Sequence, residues 1–425
     1  MNALKVILLI LGIVVLAQVN DWPFLNQLVV ALVGLLIVAY VWSRLSLRSV
    51  SITRETSTDR SQVGQPVAER IELRNRGWFP KLWLEVRDYS TLPVHQASRV
   101  VHVRGRGRTE WRVETLCVRR GRYRVGPLMV RSGDPFGLFP RSMRVPGSHE
   151  LIVYPATVDV SRFSLPRGNI SGGKATPQRN PFVTPSIAGV RDYTTGDAFN
   201  RISWAATARL GKLMIKEFDF DPSADVWLVL DLEQTQHRAA GEVRAAAAGP
   251  DGMGLHGWLD STAEYAVTIA ASLARRCLDE GRSVGLIASG GFHEVIPADR
   301  SDRQYIKILE TLAVVRADGN RPLAEVLMVE GRRFGRQSGL IAITPSTDEA
   351  WIAAMVGIVG RQVPAAAIVV EPATFAPADG SLLVVSGLAA AGIPTHLVKH
   401  GDDIGIALSS THGPGSPVGG RTHDG

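Results

Sequence analysis

Residues Ala224–Leu232 read ADVWLVLDL, a short apolar run with a carboxylate, Asp231, near its end. A run of this length without polar alternation suits a strand covered on both faces, as in a parallel sheet. The sequence downstream keeps the rhythm. Trp258–Glu280 places Tyr265, Ile269, Leu273 and Cys277 four residues apart, which predicts an amphipathic helix. SVGLIAS (residues 283–289), GLIAIT (339–344), AAAIVV (365–370) and THLVK (395–399) read as further strands. Helices are expected over Arg303–Val315, from near Asp348, and over Leu382–Ala391. Alternating strand and helix predicts an α/β domain over 224–408 with a mostly parallel sheet and helices on both faces. Residues 237–257 are rich in Ala and Gly and read as a loop. Residues 409–425, with His412 and His423 in a Gly/Pro/Ser-rich setting, read as a disordered tail.

Upstream the period changes to two. Val67, Ile71 and Leu73 alternate with polar residues, as do Leu82, Leu84 and Val86, and Val100, Val101, Val103, Trp111 and Val113 extend the pattern. Gly, Pro, Asn and Asp separate the runs. Six or seven half-buried antiparallel strands are expected over 50–160, forming an all-β, sandwich-like domain. Asp134–Gly137 reads as a turn with an apolar plug. His95, His102 and His149 are scattered through this region and read as surface or strand residues, not ligands.

At the start, Leu4–Val19 and Phe24–Trp42 are apolar on either side of Asn20, Asp21, Trp22 and Pro23. Each approaches the roughly 20 residues that cross a bilayer as a helix. A two-helix transmembrane hairpin over 1–48 follows. Lys5 precedes it, Arg44, Arg48 and Arg54 follow it, and no basic residue lies between the two runs. By the positive-inside rule both ends face the cytoplasm, giving a two-pass plasma (inner) membrane protein with its large C-terminal region in the cytoplasm. A cleaved signal peptide ending near Ala17 is the competing reading, with the second run as a stop-transfer segment; the large region then stays cytoplasmic.

The net charge is +7 and the sequence pI about 9.6. Much of the positive charge falls between Arg99 and Arg144. No helix-turn-helix, zinc-finger or RNA-binding signature accompanies it, so an anionic bilayer surface is the expected partner and nucleic acid is not. The two cysteines, Cys117 and Cys277, lie far apart among apolar residues and offer neither a disulfide framework nor metal-ligand spacing.

Residues 161–223 comprise an irregular Gly/Pro/Ser-rich linker and then a mixed charged and aromatic segment. Gly172-Gly173-Lys174-Ala175-Thr176 lacks the spacing of a phosphate-binding loop. Arg191–Phe218 reads RDYTTGDAFNRISWAATARLGKLMIKEF. On physics alone Gly196-Asp197 makes a turn, Ile202–Arg209 a short helix and Leu213–Phe218 a strand. Asp197 could accept hydrogen bonds from Arg201 or Arg209, in a network locking the linker onto the next domain.

This segment resembles the bacterial and archaeal family called domain of unknown function fifty-eight. The resemblance rests on Arg191-Asp192-Tyr193, Gly196-Asp197, Arg201-Ile202-Ser203-Trp204, Ala208-Arg209 and Leu213–Glu217. It is joined by the Arg120–Tyr123 and Asp134–Phe139 runs and the apolar hairpin. Asp192, Thr195 and Ala205 depart from the usual Glu, Pro and Lys. The resemblance implies a von Willebrand factor type A-like C-terminal domain and an AAA+ ATPase partner of the MoxR type. It also implies a divalent-cation site at the end of the first strand of that domain. The matching positions are Asp231, Glu233 and Thr235, where alternate oxygen side chains could hold Mg²⁺. Glu and Thr replace two serines there, a degenerate version of the pattern.

The function expected is a non-enzymatic membrane-anchored adaptor or scaffold that docks the ATPase or its client in chaperone-like complex maturation. Arg191, Tyr193, Gly196, Asp197, Arg201, Trp204 and Arg209 are the expected interaction residues, because Arg, Tyr and Trp anchor interfaces. A hydrolase would need a nucleophile with its base, or paired acids, at readable spacing; G-x-S-x-G and H-E-x-x-H are both absent. A binding module outside the cell is the remaining alternative, and the expected topology opposes it.

Overall fold

The computed structural model describes residues 2–19, 22–166, 187–193, 202–218, 225–240, 259–335 and 337–410. Two compact units emerge. The first comprises Met1–Val158, Ala239–Ala271 and Ile306–Val315; the second comprises Asp159–Arg238, Ser272–Tyr305 and Arg316–Gly425.

The first unit begins with helices α1 (Asn2–Val19) and α2 (Pro23–Ser46). Among the described residues α2 alone is long and apolar enough to cross a membrane; the apolar run of α1, Leu4–Gln18, is shorter. Pro23 suits the first turn of α2, where its missing N–H has no partner to lose.

Ten strands follow: β1 (Val50–Thr56), β2 (Arg60–Gln62), β3 (Pro66–Asn75), β4 (Lys81–Asp88), β5 (Arg99–Val103), β6 (Arg108–Leu116), β7 (Gly121–Val125), β8 (Leu128–Ser132), β9 (Arg141–Val145) and β10 (His149–Tyr154). They form three sheets, β1-β3-β6, β5-β4-β8-β9 and β2-β10-β7. All pairs are antiparallel except the short β2–β10 contact. The alternation read from the sequence sets most of the faces; Leu82 and Val100 depart from it, 62% and 55% exposed, Leu82 where the β4–β5 register shifts between Lys81 and Leu84. Val67, Ile71, Leu73, Leu84, Val86, Val101, Val103 and Trp111 are buried, with their polar neighbours turned outward.

The apolar plug of the 134–137 turn is Leu138, while Phe136 is 56% exposed. Buried Asp134 fixes the turn by accepting the backbone N–H groups of Phe136, Leu138 and Phe139.

His95 departs from its expected surface setting. Its side chain is 3% exposed. Its Nε2 lies 2.7 Å from Asp88 Oδ2 and its Nδ1 2.7 Å from Thr115 Oγ1. Arg54, from β1, reaches the same cluster and donates to Glu69 Oε2 at 3.0 Å and to both oxygens of Asp88.

The second unit carries β11 (Ile187–Asp192), helix α3 (Trp204–Leu210) and β12 (Met214–Phe218). It also holds a six-stranded sheet built from β13 (Val226–Asp231), β14 (Val284–Ser289), β15 (His293–Asp299), β16 (Gly339–Thr344), β17 (Ala365–Val370) and β18 (Thr395–Val398). The order is β15-β14-β13-β16-β17-β18, parallel throughout except for the antiparallel edge strand β15. Every residue of β13, β14, β16 and β17 is buried, as their unbroken apolar runs require.

Helices α6 (Leu323–Glu330), α7 (Ala350–Gly360), α8 (Leu382–Ala390) and α9 (Ile404–Ala407) belong to this unit; α4 (Thr262–Asp279) and α5 (Asp302–Val314) run across the division. Leu327, Met355, Ile358, Val384 and Leu388 pack on Val229, Leu340, Ala342 and Val369 of the sheet. The C-terminal tail beyond residue 410 lies outside the described residues.

Candidate functional site

Strands β11 and β12 form an antiparallel pair that holds α3 between them in sequence. Arg191 faces Ile215, and Asp192 faces Met214. Tyr193, half-buried, donates its N–H to Leu213 O at 2.9 Å, and Ser203 donates to Met214 O at 2.8 Å. Ile202, Met214 and Ile215 are buried and seat the pair. Helix α3 ends at Gly211, which adopts φ +67°, a left-handed cap that a residue with a Cβ adopts only with strain. The Thr207 hydroxyl then accepts the N–H of Met214 at 3.0 Å, fixing the exit into β12.

This scaffold carries exposed groups. Trp204, the first residue of α3, is 68% exposed, and Arg209 in its last turn is also exposed. Lys212 pairs with Asp192 at 2.8 Å at the end of the hairpin where the α3 segment joins the two strands. That pair holds the two strands in charge register, a role the sequence hinted at only through opposite charges flanking a turn. Gly196, Asp197 and Arg201 lie outside the described residues, as does the Arg191 side chain, so the expected Asp197 network falls there too.

At the end of β13, Asp231 is 3% exposed. Its Oδ2 accepts the Thr344 hydroxyl at 2.5 Å and its Oδ1 the N–H of Glu233 at 3.0 Å. Burial pushes its carboxyl up to about 6, against the opposing pull of those two hydrogen bonds. Thr235 donates instead to Glu233 Oε1 at 2.6 Å. The oxygens expected at a Mg²⁺ site are therefore already engaged. Asp231 is bound inward to Thr344 and the backbone, while Glu233 and Thr235 hold each other. Mg²⁺ takes ionised oxygens in near-octahedral geometry. With both Asp231 oxygens committed inward and Glu233 and Thr235 holding each other, the three side chains do not present the open oxygen set that this demands. Among the described residues no group of three or more His, Cys, Asp or Glu is placed to hold a metal ion.

The Arg120–Tyr123 run has a structural task that its sequence did not reveal. Within the first unit the Arg120 guanidinium, 6% exposed, lies 2.5 Å from Glu264 and donates to the Val315 carbonyl at 2.9 Å. Tyr123 donates its hydroxyl to the carbonyls of Arg119 and Arg120, holding the run in shape. Burial pushes the Glu264 carboxyl up, and Arg120 opposes that rise. Both cysteines are buried, and burial drives the Cys277 thiol up to about 12, leaving it protonated and unreactive.

The family described as "Protein of unknown function DUF58" matches residues 189–248, the hairpin and the strand that ends at Asp231. "Uncharacterized protein YeaD" of Bacillus subtilis (strain 168) is 23% identical over 317 residues, covering 71% of this chain and 72% of its own length. Among solved structures, the pilus adhesin SpaC from Lactobacillus rhamnosus GG matches 45% of this chain and 29% of its own at 12% identity, with a TM-score of 0.28. The CARDB domain of the PF1109 protein from Pyrococcus furiosus matches 24% of this chain and 86% of its own at 12% identity, with a TM-score of 0.19. At such scores neither likeness bears on fold or function.

Proposed function

We propose that this chain is a non-enzymatic adaptor anchored at the cytoplasmic face of the plasma membrane, which docks an AAA+ ATPase of the MoxR type or its client through the 191–218 segment. The observation that carries this reading is the exposure of Trp204 and Arg209 on a short helix braced by a hairpin. Arg and Trp presented on a rigid support are the residue types that dominate protein interfaces. In this reading α1 and α2 form a two-pass hairpin and β1–β10 a sandwich-like domain. Arg44 in the last turn of α2 and Arg48 and Arg54 beyond it are basic, and no basic residue separates the two helices, which supports the cytoplasmic orientation. The six-stranded sheet is a von Willebrand factor type A-like domain. Its support is the central β13, the antiparallel edge β15 and an aspartate at the C-terminal end of β13.

The test is co-purification. Wild-type chain and a Trp204→Ala/Arg209→Ala variant are isolated from membranes of cells expressing the cognate ATPase. Both positions are solvent-facing, so the variant is expected to keep its circular dichroism spectrum and lose the ATPase. Undiminished recovery of the ATPase with the variant would overturn the docking role.

A further inference from the structure

Helix α2 does not leave the first unit on a loose tether. Its last turns are fastened to two loops of the β-rich region. Trp42 meets the Phe79 ring edge-on at 4.9 Å, and Tyr40 meets Phe139 at 5.6 Å. The Ser43 hydroxyl donates to Phe139 O at 2.6 Å, and the Lys81 ammonium donates to the Leu45 carbonyl. About 20 helical residues cross the hydrocarbon core, so a span starting at Pro23 leaves it near Trp42. The 76–81 and 134–139 loops therefore sit at the level where a bilayer would end.

Those loops carry what that level selects. Trp78 is 76% exposed and Phe136 56% exposed, although both belong to well-built turns. Asn75, 1% exposed, donates from its side-chain amide to Phe79 O and Arg104 O at 2.8 and 3.0 Å, tying the loop down. Gly105 is required beneath it, since a Cβ there would lie 2.0 Å from Trp78 O. Arg106 donates its N–H to Gly77 O, and Arg76 donates to Ser49 O, just past the end of α2. Arg48, Arg76, Arg104 and Arg106 are thus gathered at the same end, all exposed, and none pairs with a carboxylate among the described residues. Tryptophan and phenylalanine held at the helix exit, ringed by unpaired arginines, form an interfacial belt for an anionic leaflet.

We infer that the β-rich region is itself a membrane-binding module. Trp78 and Phe136 insert at the headgroup boundary, and Arg48, Arg76, Arg104 and Arg106 contact anionic lipid phosphates. This rests on α2 crossing the bilayer.

Four single-cysteine sites on the full-length chain test both layers, using an environment-sensitive fluorophore and vesicles of phosphatidylcholine with a minority of phosphatidylglycerol. The buried native cysteines leave the added thiols as the reactive ones. The sites are Gly34→Cys within α2, Trp78→Cys, Phe136→Cys, and Thr58→Cys, which lies beyond the far end of β1, about 20 Å from Val50. Labels at Gly34 are expected to be quenched by nitroxides deep in the acyl chains. Labels at Trp78 and Phe136 should shift to the blue and be quenched by headgroup-level nitroxides, and Thr58 should do neither. Replacing Arg76, Arg104 and Arg106 with Gln should weaken the Trp78 shift, as should omitting phosphatidylglycerol. If Trp78 and Phe136 behave like Thr58 while Gly34 is quenched, the anchor stands and the belt is wrong. If Gly34 is not quenched, α2 does not span and both fall.

Discussion

Asp88 and Asp231 are both withdrawn from water at strand ends, one in the β-rich region and one in the parallel sheet, yet their protons behave oppositely. Burial pushes the Asp88 carboxyl upward too, but hydrogen bonds from His95, Arg54 and Ser90 outweigh it and hold the group well below the usual carboxylate range. Asp231 meets only a hydroxyl and a backbone amide, and burial prevails, carrying it up to about 6. The difference shows that depth alone does not set a carboxylate's charge. A cation within the first ring of partners does. Asp88 is part of an ionic keystone, and Asp231 is a carboxyl that holds its proton to a higher pH than an ordinary aspartate.

Removing the cation should have the largest effect. Arg54→Ala leaves Glu69 and Asp88 buried without their guanidinium; their side chains are 1% and 4% exposed. Stripping one partner from a buried pair costs about 3–5 kcal/mol. Hydrogen exchange of β1 and β3 amides should report that loss, and adding Asp88→Asn should recover part of it. Unchanged protection in Arg54→Ala would mean that the cluster is held by packing alone. The sign with pH follows from the lowered carboxyl. The stability that Asp88 contributes is present above the ordinary carboxylate range and disappears only in strong acid.

A smaller effect of opposite sign is expected at Asp231. Its folded value of about 6 lies above the ordinary 3.8, so its contribution is complete below about pH 4 and is lost as pH rises through about 6. Asp231→Asn should therefore leave the parallel sheet as stable, or more stable by up to about 3 kcal/mol, at neutral pH, since one pKa unit is about 1.4 kcal/mol. Amide protection in β13 should fall between about pH 4 and pH 6.5 in the wild type and stay flat in the variant. A variant less stable at neutral pH would assign the charged form a structural partner.

The smallest effect belongs to the carboxylate that is not buried. Asp192 and Lys212 are 64% and 58% exposed. Lys212→Ala should change stability by under about 1 kcal/mol. A larger loss in thermal unfolding would show the hairpin depends on that pair.

The parallel sheet was legible because burial on both faces leaves no polar alternation to confuse it. GLIAIT and AAAIVV coincide with β16 and β17 residue for residue. Strand β15 hid because HEVIPAD lies at the edge, largely exposed and interrupted by Pro297. Helix α6 hid because Met328 and Val329 face solvent, which blurs its apolar face. In the 161–223 segment, IAGVRD carries no strand signal of its own and is β11, since its pairing with β12 comes from 20 or more residues downstream. The ionic cluster was illegible for a different reason. Arg54, Glu69, Asp88 and His95 come from two strands, a strand end and a loop, and no spacing rule joins them. Of the expected interaction residues, Trp204 and Arg209 lie where the reading put them, on a short helix. The Asp231 position was legible, but its hydrogen bond to Thr344, 113 positions away, was not.

The fastening of α2 to Lys81 and Phe139 has a mechanical consequence. Helix and β-rich region are joined by side-chain contacts, so, where α2 crosses a bilayer as proposed, a pull on the β-rich region becomes a tilt of the helix. A flexible stalk would absorb the same pull as slack.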